Sequence, residues 1–180
     1  MMANVTVKAE DFFSRNYGTD FYKKIARPII VAINLKSPSN IGGIIRLADN
    51  IGCIKVIFIG DKSQFKQSKI KKSSTTAFNK ISWEFCKSDE WLEKIPKGYQ
   101  IIAVETASNS KNLYSTIFPE KVAFVFGNEN YGLDQENLSL CHSSIYIPIP
   151  GSTLSLNVVQ STSIVLFEWF RQMSNLHSLH

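Results

Sequence analysis

The chain has 180 residues, 44% hydrophobic and 12% aromatic, enough for one buried core and too apolar for a disordered polyelectrolyte. Lys and Arg total 20 against 15 for Asp and Glu, and the resulting +5 permits a polyanionic partner without requiring one. Cys53, Cys86 and Cys141 lack C-x-x-C spacing and two of the three histidines sit in the C-terminal tail, so neither a disulfide framework nor a metal site is expected. No apolar run approaches the roughly 20 residues of a membrane span, and the N-terminus has no signal-peptide layout, so the expectation is a cytoplasmic protein.

Residues 1–27 are polar with scattered aromatics, Phe12, Phe13, Tyr17, Phe21 and Tyr22, and with basic Lys23, Lys24 and Arg27. They predict a short helical N-terminal extension ahead of a single domain over residues 28–180. Strands are predicted at Ile29–Leu35, Lys55–Gly60, Ile81–Cys86, Gln100–Glu105, Val122–Phe126 and Ser144–Ile149, from β-branched and aromatic content. Several, such as V-A-F-V-F, are apolar throughout, the mark of strands covered on both faces of a parallel sheet. Ile41–Ile51 places Ile41, Ile44, Ile45 and Ala48 on one helical face. Lys62–Lys72, with five lysines and one phenylalanine, reads as a mobile loop. Ser88 is placed as N-cap of a helix over Asp89–Ile95, with acids in its first turn. Leu133–Cys141 predicts a short helix. Leu156–Met173 predicts the longest, with Val159, Ser163, Leu166, Phe167 and Phe170 at helical spacing. The alternation implies an α/β fold, a mostly parallel sheet with helices on both faces.

Three polar stretches interrupt this pattern where strands run into loops, the usual place for a ligand site in α/β proteins. The first is N-I-G-G-I-I-R, Asn40 to Arg46. Arg46 lies in an otherwise apolar helix and either pairs with Asp49 or Asp89 on the surface or serves a cleft together with Asn40. Gly42 and Gly43 each cost about 1 kcal/mol against alanine in a helix, so a strand or a ligand is expected to approach closely there. The second is F-G-N-E-N-Y-G, Phe126 to Gly132. It is a turn after an apolar strand, with Glu129 available to a sugar hydroxyl or to Arg46. The third, I-P-I-P-G-S-T-L-S-L-N, breaks a strand with Pro148, Pro150 and Gly151 and leads into the last helix, with Ser155 as its expected cap. Neither G-x-G-x-x-G nor G-x-x-x-x-G-K-[ST] occurs, which disfavours dinucleotide binding and nucleotide hydrolysis.

Together the three stretches resemble the motifs of the SpoU, or TrmH-like, RNA ribose 2′-O-methyltransferases of the SPOUT superfamily, from about Arg27 to Met173. The family's N-x-G-x-x-x-R matches Asn40, Gly42 and Arg46. Its G-x-E-x-x-G matches Gly127, Glu129 and Gly132. Its I-P-x-x-G followed by S-L-N matches Ile147, Pro148, Gly151, Ser155, Leu156 and Asn157. After S-L-N the family continues with small residues, whereas this chain has Val158, Val159 and Gln160.

The resemblance implies a domain over residues 28–180 whose C-terminal part threads a deep trefoil knot, working as a homodimer. It implies S-adenosylmethionine as cofactor, with contacts at Val104, Glu105, Gly127, Ile147 and Leu156, and no metal. The implied reaction is in-line attack of a ribose 2′-oxygen on the sulfonium methyl. Arg46 matches the residue proposed as general base, but a guanidinium holds its proton tightly, so gripping the adjacent phosphate and polarising the 2′-OH suits it better. Asn40, Glu129, Ser155 and Asn157 would orient Arg46 and the ribose, some of them from the opposite subunit. Without a separate RNA-binding domain, substrate binding is expected to rest on residues 1–27 and on the basic segment, chiefly Lys66, Lys69, Lys71 and Lys72. The stretches around G-Y-Q-I-I-A-V-E and F-P-E-K-V-A-F-V-F-G-N-E most resemble members acting on a guanosine in tRNA. The alternatives are a ribosomal RNA 2′-O-methyltransferase, a non-catalytic RNA-binding knotted protein, and an unrelated small-molecule α/β enzyme.

Overall fold

The structure, a computed structural model, describes residues 6–16 and 25–176. Its elements run α1 (Ala9–Asn16), β1 (Ile29–Ile33), α2 (Pro38–Ile51), β2 (Lys55–Ile59), α3 (Gln67–Ser74), β3 (Ser82–Cys86), β4 (Gln100–Val104), β5 (Lys111–Asn112), β6 (Val122–Phe126), α4 (Gln135–Ser139), β7 (Ser143–Tyr146) and α5 (Val158–Leu176). All strand pairings are parallel, in the order β3-β2-β1-β6-β4-β7-β5. The two strands with no polar side chain, I-I-V-A-I and V-A-F-V-F, are neighbours near the middle of the sheet, and all their residues are buried.

Alternation along these strands feeds two cores. Ile30, Ala32, Phe124 and Phe126 join Ile41, Ile44, Ile45 and Ala48 of α2 and Val165, Leu166 and Trp169 of α5 on one face. Ile29, Val31, Ile33, Ala123 and Val125 meet Trp91, Cys86 and Leu133 on the other. Each fully buried Ile or Phe contributes about 1.5–3 kcal/mol, so this double burial is what holds a parallel sheet together.

The sheet and the face of α2 agree with the sequence; several local expectations do not. The strand begun at Ile29 stops at Ile33, because Asn34 turns into the left-handed region at φ 52°. The last strand ends at Tyr146 short of Ile149; Pro148 has no N–H to donate to a ladder. Instead of a helix over Asp89–Ile95, a single 3-10 turn forms at Leu92–Lys94, with Trp91 and not Ser88 in the preceding position. Pro96 closes that stretch, and Gly98 follows at φ 86°. The buried side of α5 is Val158, Thr162, Val165, Leu166, Trp169 and Met173, while Phe167 is half exposed. β5, only two residues long, carried no strand pattern.

The basic segment is not a loop. Asp61 caps a 3-10 turn at Lys62–Gln64, and α3 follows, fixed by buried Ile70 and Ser74. What approaches the paired glycines is helix, not strand or ligand. A Cβ on Gly42 would overlap Ser73 Oγ and stand 2.6 Å from the Ile70 carbonyl oxygen of α3, and one on Gly43 would press on Val159 of α5. In the N-terminal extension the expected helix is present as α1, whose Phe12 and Phe13 meet edge to face. Tyr17, Phe21, Tyr22, Lys23 and Lys24 lie outside the described residues.

The seating of α3 on α2 yields a stability test. Gly42→Ala should destabilise the protein by about 1–3 kcal/mol in urea unfolding, because the Ile70 carbonyl is backbone and cannot swing aside. Because replacing a helical glycine intrinsically gains about 1 kcal/mol, the contact itself costs that much more than the net loss.

Candidate functional site

At the carboxyl ends of β4, β6 and β7 the second and third polar stretches line a cleft of about 340 Å³, and the first reaches its wall through Asn40, which bonds to Glu129. Its walls come from Val104, Glu105 and Thr106 after β4, the turn Gly127–Gly132 after β6, and Ile147, Ile149, Leu154, Ser155 and Leu156 after β7. All five residues expected at the cofactor, Val104, Glu105, Gly127, Ile147 and Leu156, line it.

The turn after β6 is built by local bonds. Asn128 and Gly132 exchange backbone bonds, N–H to O at 3.1 Å and 2.9 Å, and Asn128 Oδ1 accepts from Asn130 N at 2.8 Å. Glu105 fastens the far end: its Oε2 accepts from Leu133 N at 2.8 Å and its Oε1 from Thr106 N at 2.9 Å. Gly127 lies directly under this turn, where a Cβ would overlap the Gly132 carbonyl and stand 2.5 Å from Leu133 N.

A chain of side-chain bonds joins the three stretches. Glu129 Oε1 accepts from Asn40 Nδ2 at 2.7 Å, and its Oε2 accepts from Lys36 N at 3.1 Å. Asn40 Oδ1 in turn accepts from Asn157 Nδ2 at 3.1 Å, and Asn157 Oδ1 accepts from Val159 N at 2.9 Å. Asn157, not Ser155, therefore caps α5; Ser155 stays exposed at the cleft wall. The structure brings together Asn40, Glu129 and Asn157, with Ser155 nearby. It does not bring in Arg46, which is exposed on α2, pairs with neither Asp49 nor Asp89, and bonds to no described residue. Lys66, Lys69, Lys71 and Lys72 are exposed on and beside α3 and do not line the cleft.

The electrostatics of the cleft are one-sided. Glu105 and Glu129 line it, and no Lys, Arg or His does among the described residues. Such walls repel phosphates and suit a ligand with an apolar body and a positive centre. The thiols are not poised for covalent work: burial pushes Cys53 up, and pushes Cys141 up to about 11. No group of metal-ligating side chains occurs among the described residues.

A parallel sheet with a carboxylate-lined cleft at its carboxyl edge defines the class, an α/β protein with a ligand site at its strand ends. The size, aromatic and apolar walls and paired carboxylates of the cleft fit S-adenosylmethionine, which the family uses as methyl donor. The chain belongs to the SpoU rRNA Methylase family, whose model matches residues 27–167. It is 30% identical over 149 residues to a tRNA (guanosine(18)-2′-O)-methyltransferase of Aquifex aeolicus, covering 80% of this chain and 69% of that protein. Among solved structures it superposes on the SpoU methyltransferase AviRb of Streptomyces viridochromogenes in complex with AdoMet. That match has a TM-score of 0.74 at 25% identity, covering 82% of this chain and 58% of that one. A structure giving insight into 2-OH methylation of C/U34 on tRNA matches with a TM-score of 0.75 at 25% identity, over 83% of this chain and 98% of that one.

The lock on Gly127 is testable. Gly127→Ala should push the Asn128–Gly132 turn into the cleft and weaken S-adenosylmethionine binding at least about tenfold, or roughly 1.4 kcal/mol, by calorimetry. Far-UV circular dichroism of the variant should stay unchanged.

Proposed function

We propose that this protein transfers a methyl group from S-adenosylmethionine to a ribose 2′-oxygen of RNA, with a guanosine in tRNA as the first substrate. The observation that carries the reading is the bond chain Asn157–Asn40–Glu129, which ends in the wall of a cleft lined by carboxylates and by no described cation. The cofactor supplies an electrophilic methyl group; the chain's own residues supply alignment and contacts. Val104, Gly127, Ile147 and Leu156 would hold its body, and Glu105 and Glu129 its positive charge. Glu129 already accepts from Asn40 and from Lys36 N, so its role is to orient and not to take the 2′-OH proton. Ser155, exposed beside it, is free to meet the ribose.

Two finer features belong to the same reading. The segment from β7 through α5 is threaded as a trefoil knot. In support, β4 bonds to both β6 and β7, and α5 packs back on α2, as in a family with this fold. The working unit is a homodimer in which Arg46 of one protomer faces the cleft of the other. In support, Arg46 has no partner among described residues, and Tyr131 and Leu154 stand 88% and 75% exposed near the cleft. There Arg46 grips the phosphate next to the target and polarises the 2′-OH. The exposed lysines of α3 and Lys66 hold the flanking backbone, separated from the cleft they would otherwise repel a cationic donor from. Ribosomal RNA is the second substrate class, favoured by the description of the matching family.

The test is methyl transfer from labelled S-adenosylmethionine to unmodified tRNA and ribosomal RNA. Label is expected in tRNA, resistant to alkaline cleavage at one guanosine. Arg46→Ala is expected to lower transfer at least about a hundredfold with S-adenosylmethionine affinity retained. Absence of label in both RNAs, despite cofactor binding, would defeat the reading. Replacing Lys66, Lys69, Lys71 and Lys72 by alanine is expected to reduce the slope of log affinity against log salt by up to about 3 for single-stranded target RNA. An unchanged slope would remove α3 from the RNA surface.

A further inference from the structure

The other half of the carboxyl edge holds a second depression, a notch of about 40 Å³ at the ends of β1, β2 and β3. Asn34, Lys36, Asp61, Gln64 and Phe65 are among its walls. It adjoins the cleft through two bonds: Lys36, in the notch wall, gives its backbone N–H to Glu129 of the cleft wall, and Asn128 of the cleft wall gives its side-chain N–H to the carbonyl of Asn34 in the notch.

Several polar groups of the notch keep unspent hydrogen-bonding capacity. Asn34 sits at φ 52°, in the left-handed region that asparagine enters more readily than most residues with a side chain. It is pinned there by its N–H to Ile59 O at 2.8 Å and by Asn128 Nδ2, from the turn beside the cleft, donating to its carbonyl at 2.5 Å. The side chains of Asn34, Lys36 and Gln64 make no hydrogen bond with any described residue. Asp61 accepts from Ser63 N at 2.8 Å on one oxygen and from Ser63 Oγ at 2.6 Å on the other, leaving a lone pair on each. Those bonds, the hydroxyl's first, hold its carboxyl below the usual range. Phe65, half-buried, lies against Phe85 with ring centroids 5.9 Å apart and gives the notch an apolar wall.

A cationic donor, a carboxylate acceptor, two unspent amides and an aromatic wall together match the edge of one nucleobase. Guanine alone sets two adjacent N–H donors, at N1 and the exocyclic N2, to meet both oxygens of one carboxylate, with O6 and N7 beside them for an ammonium; adenine, cytosine and uracil each offer a donor and acceptors but not that adjacent pair. Unstacked RNA bases are read in this way, by aromatic contact and by hydrogen bonds to their edges. We propose that the notch receives the guanine edge of the RNA nucleotide being methylated, an inference that rests on the methyltransferase reading above. A space of about 40 Å³ admits a ring edge and not a nucleoside, which leaves the ribose outside, toward Asn40 and Glu129.

The test is a titration of the isotope-labelled protein with GMP, AMP, CMP and UMP, read on the amide signals of Asn34, Gly60 and Gln64. GMP is expected to shift them at lower concentration than the other three. The double variant Asn34→Gly, Gln64→Ala is expected to lower GMP affinity about tenfold; glycine keeps the left-handed turn, so the fold is retained. Equal shifts with all four nucleotides, no shift, or unchanged affinity in the double variant would overturn the inference. S-adenosylmethionine, titrated separately, reports on Gly127 and Leu156. If it moves those signals and GMP moves none near the notch, the notch inference fails and the methyltransferase reading stands. If it moves none, that reading fails, and the GMP arm still decides whether the notch binds guanine. A short guanosine-containing RNA is expected to bind more tightly than GMP and to lose that advantage as salt rises. GMP binding more tightly than the RNA would make the notch a free-nucleotide site and overturn its assignment to the RNA target.

Discussion

Asn40 is the residue on which the site depends, because its two amide ends are committed in opposite directions. A carboxylate only accepts hydrogen bonds, so the Glu129 contact at 2.7 Å requires the Asn40 NH₂ to point there. That leaves its carbonyl for Asn157, which must donate its own NH₂ and keep its carbonyl for the first turn of α5. Each orientation dictates the next, and the chain ties together segments 89 and 117 residues apart in sequence. An aspartate at position 40 would set two carboxylates against each other, and a leucine would strand Glu129 without its side-chain donor. The motif asparagine is thus a connector between the start of α2, the turn after β6 and the start of α5.

A second constraint is steric and lies on the other side of the same helix. Gly42 lets the backbone of α3 come close enough for Ser73 Oγ to donate across to the Pro38 carbonyl of α2 at 3.3 Å. Seven residues of the first motif therefore carry three duties: Asn40 organises the cleft, Gly42 seats the lysine helix, and Arg46 stays free on the surface. Because α2 also packs on α5 through Gly43 and Val159, the lysine helix and the helix that follows the cleft wall are both seated on α2.

The parts of this arrangement that were legible in the sequence are those set by local pattern. Continuous apolar runs located β1 and β6, and turn-breaking Pro and Gly at strand ends pointed to the cleft walls; the five residues named for the cofactor came from the family resemblance, and all five line the cleft. What was not legible depends on tertiary contact. K-S-Q-F-K-Q-S-K-I-K-K has one aliphatic residue, too few for a helical period, and becomes a helix only because Ile70 finds the surface of α2. The choice between Ser155 and Asn157 as helix cap turns on where the chain leaves the cleft wall, which either residue's propensity would allow. The notch had a faint signal: an asparagine ending an apolar strand, in I-N-L-K, is among the few residues that enter the left-handed region readily.

In the proposed reaction, the separation of charge gives the lysines a reason for their place. A sulfonium donor and a polyanionic acceptor make opposite demands on their surroundings. Cations in the cleft would compete with the donor; carboxylates near the acceptor backbone would repel it. The chain answers by placing Glu105 and Glu129 at the ends of β4 and β6 and Lys66, Lys69, Lys71 and Lys72 on and beside α3, at the other half of the sheet. At physiological ionic strength charges more than about 8 Å apart are largely screened in solvent, so the two fields can coexist on one small domain. The 2′-oxygen must then be delivered at the boundary between them. That boundary is where Lys36 spans from the notch to Glu129, and Asn40, a neutral amide, is the kind of group that can sit between opposite fields without favouring either.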